Sequence, residues 1–274
     1  MNFVLKKLKS LLISPIITIK KIFLKLQTSF LIFFYNFDKY KEKQSYIFSK
    51  LNLNREEGLK IFEEEKNNNK IFDGAMSSEH KVLFASISAS KKKIQEILEI
   101  GTYDGENSYF LSRIFPEAKI TTIDLEDDNE HFKKSYNRET IEKRKKFCLE
   151  RDKILSLSGN IKFKKMNSVE LNNFLNKFDL IWVDGAHGYP HAAIDITNSI
   201  RLLNDNGMLL CDDVWKSKPL IQDDMYNSLA SYQTLLAFKE NEMIEFETIY
   251  KRLDKYNNSN KYLRKYIAVV KKLS

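Results

Sequence analysis

A doubly wound α/β fold with a mostly parallel sheet is the architecture this 274-residue sequence predicts. Three stretches carry the expectation. Ile97-Leu98-Glu99-Ile100 leads into a turn with glycines at 101 and 105, then a helix-compatible run from Ser108 to Phe115. Strand, Gly-rich turn and helix in that order open such domains. Lys119 to Asp124 reads as a second strand ending in an acid, placed where a carboxylate can accept hydrogen bonds from the hydroxyls of a ribose. Phe178 to Val183 is apolar on both faces, as a central parallel strand is, and runs into Asp184.

Composition bounds the rest. Hydrophobic residues make up 43% of the chain and aromatics 12%, enough for one full domain core and a smaller appendage. Cys148 and Cys211 lie far apart without metal-ligand spacing and read as reduced thiols of a cytoplasmic protein. The net charge of +8 is concentrated at the start, where the first 36 residues hold six lysines and no acid. A basic terminus of this kind argues against a nucleic-acid-binding core, and no nucleic-acid partner is expected.

Residues 1–37 form a basic, amphipathic helical extension. On a helical wheel the six lysines share one half, and Leu5, Leu8, Leu12, Ile16, Ile19, Ile22, Phe23 and Leu26 lie in the other. Ser14-Pro15 reads as a cap followed by proline in the first turn of a helix. The uncharged runs are shorter than the roughly 20 residues of a spanning helix. No small-residue cleavage site follows, so a secretory signal is not expected. Two roles stay open for the extension. It lies on an anionic membrane, which would be the inner face, or it packs its apolar side on the domain or on a second subunit.

Residues 38–70 read as a polar helical linker and 71–274 as the main domain. Met76 and Ser77-Ser78 precede a helix running to about Ser90, with His80 as a capping or surface residue. Residues 125–159 are insert-like and charged, with a solvated helix from Arg138 to about Leu157. Ile161 to Lys165 alternates as the third strand, and Asn167-Ser168 at its end can cap the next turn. A helix follows His191. Asn204 to Gly207 reads as a turn, and Met208 to Cys211 as the fifth strand ending in Asp212-Asp213. A helix from about Gln222 to Lys239 precedes two outer strands, Ile244–Tyr250 and Tyr266–Val270.

Polar residues thus stand at or near five strand ends: Glu99, Asp124, Asn167, Asp184 and Asp212. Ligands of open parallel sheets bind off those ends. The first turn reads E-x-G-x-x-x-G rather than the dinucleotide G-x-G-x-x-G, and a carboxylate at Glu99 facing the site suits a cationic ligand better than a phosphate. Gly101 and Gly105 would let the backbone approach that ligand. Neighbouring fourth and fifth strands lie about 4.8 Å apart, which gathers Asp184, Asp212 and Asp213. Three such carboxylates repel unless protonated or bridged by a cation, and all-oxygen ligation suits Mg²⁺ or another hard divalent ion.

The E-I-G-T-x-x-G run with Asp124 behind it resembles the nucleoside-binding motifs of class I S-adenosylmethionine-dependent methyltransferases. The resemblance covers about residues 71–274 and implies a Rossmann-like, seven-stranded sheet with a C-terminal antiparallel pair. It implies S-adenosylmethionine as cofactor, bound by Glu99, Gly101, Thr102, Gly105, Asp124, Asn167, Ser168 and Asp184. The acids are similar to those of the metal-dependent O-methyltransferases of catechol, caffeoyl-CoA and macrocin type, with Asp213 where the catechol type has Asn. That likeness implies a divalent metal on Asp184, Asp212 and Asp213. Where the family places a basic lysine, this chain has His187, with Tyr189 and His191 as lesser candidates for the base.

The expectation is transfer of a methyl group from S-adenosylmethionine to a hydroxyl of a small molecule or glycan, with a divalent metal assisting. An aminopropyltransferase of the same fold and a catalytically silent membrane-docking domain are the alternatives. Homo-oligomerisation stays open.

Overall fold

The computed structural model describes residues 15–74, 78–135, 138–220 and 227–273. Ser14, Met76, Ser77 and the predicted helix start at Gln222 lie outside the described residues, as do residues 1–14 of the extension. The chain opens with α1 (Pro15–Leu31), which begins at the expected proline, and a 3-10 turn, Ile32–Phe34. Next come α2 (Phe37–Lys50) and α3 (Arg55–Asn68). Asn36 caps α2 by accepting from the Lys39 amide, and Asn54 caps α3 by accepting from Glu56 and Glu57, whose own charges suit a helix N-terminus. After α4 (Glu79–Ser88) the sheet begins.

Its elements alternate: β1 (Glu96–Ile100), α5 (Glu106–Ile114), β2 (Lys119–Asp124), α6 (Glu130–Lys134), α7 (Ile141–Leu155), β3 (Ile161–Lys165) and, past a 3-10 turn (Ser168–Asn173), β4 (Phe178–Val183). Then follow α8 (His191–Leu202), β5 (Leu203–Val214), α9 (Ala230–Glu240), β6 (Ile244–Tyr250), α10 (Lys255–Ser259) and β7 (Tyr266–Lys272). The seven strands lie in the order β3-β2-β1-β4-β5-β7-β6. Strands β1 to β5 are parallel, and β7 runs antiparallel between β5 and β6. This is the expected Rossmann-like sheet with its C-terminal antiparallel pair.

Adjacent strand residues point to opposite faces. Ile97, Leu180 and Leu210 join one core with Phe84, Phe110 and Leu111, and Leu98, Ile181 and Leu209 join another with Ile196, Ile200 and Leu235. The segment read as a polar linker also enters the first core, through Phe48, Leu51 and Leu53. Charged residues are frequent in it, but most of them, Arg55 excepted, lie on the outer faces of α2 and α3. Strand β5 is longer than expected, because Asn204–Gly207 continues it rather than turning. Its register with β7 shifts between Cys211 and Val214, and Asp213 there takes a φ of +50°. This bulge re-aims Asp213, which lies within the strand rather than beyond it.

One buried ion pair ties the first helices to the domain. Arg55 donates through Nε and a terminal nitrogen to the two Glu79 oxygens, both at 2.7 Å, and Gln44 adds a bond at 3.2 Å. Arg55→Met leaves the Glu79 charge buried without its partner. The expected loss is about 3–5 kcal/mol, read from urea unfolding midpoints. An unchanged midpoint would mean that Glu79 does not depend on this arginine.

Candidate active site

The turn after β1 is shaped by the protein rather than by a ligand. Gly101 has φ +102°, and a Cβ there would sit 2.4 Å from the Asp184 carbonyl oxygen. Gly105 has φ +81° and caps α5, and its Cβ would press on Leu155 of α7 at 3.0 Å. Both positions demand glycine for conformation and packing. Glu99 departs from expectation too. It is 1% exposed and points, like Ile97, to the face beneath α5. There it accepts from Asn107 Nδ2 at 2.8 Å, from Thr122 Oγ1 at 2.6 Å and from Ser108 Oγ. Burial pushes its carboxyl up to about 7, against the pull of those three donors. Glu99 therefore ties β1, β2 and α5 together and does not face a ligand. Thr102 is likewise buried, sharing a 2.6 Å hydroxyl contact with Thr122.

The strand order reverses between β1 and β4, and a cavity of about 500 Å³ opens at that point off the strand ends. Of the predicted residues, Gly101, Asp124, Asn167, Ser168, Asp184, His187, Asp212 and Asp213 line it. Glu99, Thr102 and Gly105 do not. Asp124 is held by the Tyr103 amide at 3.0 Å and the Leu125 amide at 2.8 Å, and burial raises its pKa. Asn167 accepts from the Val169 amide at 3.1 Å while Glu170 accepts from the Asn167 amide at 3.1 Å, a capping box that also walls the cavity. The volume, the acid after β2 and the amide and hydroxyl after β3 fit a nucleoside-bearing cofactor.

The acids on the other side of the cavity are gathered as expected but carry their own cations. Lys251, the first residue past β6, donates through Nζ to Asp212 Oδ2 and Asp213 Oδ1, each at 2.5 Å. Lys265 donates to Asp213 Oδ2 at 2.6 Å. Burial alone would raise Asp213, but Lys251, His187 and Lys265 hold its carboxyl well below the usual range. Burial likewise opposes the Lys251 charge, yet Asp212 and Asp213 hold its pKa above that of an ordinary lysine. Asp184 has 38% of its side chain exposed. Its pKa rises well above 3.8, first through loss of solvation and then through the nearby Asp212 charge. Among the described residues no group of three or more His, Cys, Asp or Glu side chains is arranged to hold a metal. An ammonium stands where the expected divalent ion would have to bridge Asp212 and Asp213, so these residues do not fit the metal.

His187 Nε2 lies 3.7 Å from Asp184 Oδ1 and 3.6 Å from Asp213 Oδ2, outside hydrogen-bond range. Burial lowers its pKa despite Asp213 and Asp212, which leaves the imidazole neutral and able to accept a proton at pH 7. His191 also lines the cavity, and Tyr189 is exposed.

Three further lining residues escaped the sequence reading. His80 is no surface cap: it stacks on Trp182 at 5.7 Å, bonds to Ser78 Oγ at 2.7 Å and is pushed down to about 3 by burial. Ser78 consequently makes no side-chain cap for α4. Asp195 is buried, has an Oδ1 without a protein partner and is pushed up to about 6 by burial. It shares a helix face with Ala192, Ser199 and Leu202, and an acid on such a face was a legible signal. Lys251 carried none, standing beside Arg252 in a chain with 45 basic residues.

A cavity at the reversal point of a doubly wound sheet, with a half-buried acid ending the second strand, is where folds of this class bind nucleoside-type cofactors. Residues 98–214 match the family model described as a methyltransferase domain. Over that stretch, less than half of the chain, the sequence is similar to methyltransferase domains. None of the curated proteins matches the sequence. Among solved structures, the O-methyltransferase TomG from Streptomyces achromogenes, in complex with SAM, aligns at a TM-score of 0.50. It is 16% identical, over 88% of this chain and all of its own. The SAH-bound methyltransferase PaMTH1 from Podospora anserina aligns at 0.49 with 18% identity, over 79% of this chain and 88% of its own. At these identities the TomG likeness is one of fold.

Proposed function

We propose that this protein moves the methyl group of S-adenosylmethionine to a hydroxyl oxygen of a small molecule or glycan. The observation that carries the reading is a single cavity with Asp124 on one side and a neutral, buried His187 on the other. TomG, an O-methyltransferase bound to SAM, shares the fold and supports it. When bound, the cofactor supplies a methyl group already activated by its sulfonium. The chain supplies alignment and a base. Asp124, held by two backbone amides, is oriented to accept from both ribose hydroxyls. Asn167 and Ser168 border the base-binding side. Asp184 offers its carboxyl to an ammonium group. His187 takes the acceptor's hydroxyl proton, because an alcohol at pH 7 is a poor nucleophile while it keeps that proton. Fixing acceptor and donor in one cavity removes much of the entropic barrier. No metal enters this scheme, since Lys251 neutralises the acids that would hold one.

Calorimetry with S-adenosylmethionine tests the cofactor side. Asp124→Ala is expected to weaken binding by about 1–3 kcal/mol, roughly 5- to 150-fold. A folded variant with unchanged affinity would remove Asp124 from the site. Wild-type protein that takes up no cofactor would overturn the proposal.

A further inference from the structure

The N-terminal helix docks by the opposite side from the one its sequence offers. Thr28 is fully buried, and its hydroxyl accepts from Asn260 Nδ2 at 2.9 Å, while the same amide donates to Gln27 Oε1 at 3.2 Å. Just beyond, the Tyr35 hydroxyl donates to the Leu253 carbonyl. Polar side chains therefore make the seam. The apolar side faces out: Ile19, Ile22, Phe23, Leu26, Phe30, Phe33 and Phe34 are each more than half exposed. This answers the expectation that the helix packs its apolar face on the domain, because among the described residues no part of the domain covers that face.

At 100° per residue, Ile22, Leu26, Ile19, Phe30 and Phe23 span an arc of about 100°, and Thr28 stands nearly opposite. Lys25 lies about 60° beyond one edge of the arc and Lys20 about 60° beyond the other. Both lysines and Lys21 are exposed. No acidic residue occurs from 15 to 37. A helix lying in a bilayer surface needs this arrangement: an apolar floor, with ammonium groups at both edges reaching back to anionic headgroups. A second copy of the same face would instead oppose lysine to lysine without a counter-charge. No helix among the described residues is long and apolar enough to cross a membrane.

We infer that α1 and the turn after it lie in the surface of an anionic membrane and fix the domain there. The placement has a topological consequence. Both β5 and β6 run antiparallel to β7, so the β6–β7 connection leaves at the same end of the sheet as the cavity. That connection carries Lys251, α10 and Asn260, on which α1 rests. Docking brings the cavity end of the sheet to the lipid surface. This inference does not depend on the chemistry proposed above.

The test is vesicle flotation of the full chain, with phosphatidylcholine vesicles against vesicles that also contain phosphatidylglycerol, at low and high salt. The expected result is binding to the anionic vesicles that weakens with salt. K20Q/K21Q/K25Q should weaken partitioning by about 10²-fold, taking roughly fivefold for each lysine. F23S/L26S/F30S should abolish binding while leaving the circular dichroism spectrum unchanged, since all three side chains are exposed. No binding to either vesicle, or equal binding to both, would overturn the inference. So would a concentration-dependent dimer, seen by analytical ultracentrifugation, that the serine variant dissolves.

Discussion

His187→Ala lowers the methyl-transfer rate by about 10²–10⁴-fold at pH 7, the range for losing a positioned general base. The effect should fall on kcat, with S-adenosylmethionine affinity largely kept, because Asp124 and the residues after β3 lie across the cavity. The pH profile carries the sharper signature. Burial lowers the His187 pKa below the ordinary 6.5, opposed by Asp213 and Asp212 and assisted by Lys251 and Lys265. The wild-type rate should therefore stay level through neutrality and fall only as pH drops below 6.5. In the variant that acid limb disappears, and the residual rate climbs with pH as hydroxide substitutes for the base. The same depressed pKa acts on stability. Unfolded chains take up the His187 proton before folded ones do, so this residue's contribution weakens as pH falls below 6.5. Equal rates and superimposable profiles for both proteins would remove His187 from the chemistry.

Lys251→Met leaves Asp212 and Asp213 buried without the ammonium that bridges them, at an expected cost of about 3–5 kcal/mol. Unfolding in urea measures it. The pH dependence fixes the cause. In the wild-type protein Asp213 has a depressed pKa, so its stabilising contribution is full above the unfolded value of about 3.9 and is lost as pH falls through the lower folded value. Without the Lys251 ammonium the buried acids hold protons more tightly when folded than when unfolded. The variant's deficit should then shrink as pH falls toward 4. Wild-type turnover should survive exhaustive chelation, whereas the variant, with the bridging position vacated, should regain stability on adding Mg²⁺ or Mn²⁺. Wild-type activity that disappears on chelation and returns with metal would show that a divalent ion displaces Lys251 in the working enzyme.

Much of this protein was readable in one dimension. The strands follow from short apolar runs, glycine turns and the alternation of Ile244–Tyr250 and Tyr266–Val270, which are local features, while the closing antiparallel pair was implied by the resemblance to the methyltransferases. Asp124, Asn167, Ser168, Asp184 and His187 were legible because residues just past parallel strands converge by topology alone. What stayed hidden depends on direction and on distant partners. Glu99 sits one residue before the end of β1, and only the pleat decides that it turns beneath α5 to Asn107, Ser108 and Thr122 instead of into the cavity. His80 lies before the sheet and comes to the cavity by stacking on Trp182 of β4.

The sequence by itself determined the doubly wound sheet, the cofactor-binding end of it and a one-sided N-terminal helix, because periodicity and turn chemistry act over a few residues. Tertiary structure alone decided what neutralises the acids and which face of the helix is left open. Lys251 reaches Asp212 across 39 positions and Asn260 reaches Thr28 across 232, pairings that no local pattern encodes and that only the closed sheet brings within hydrogen-bond range.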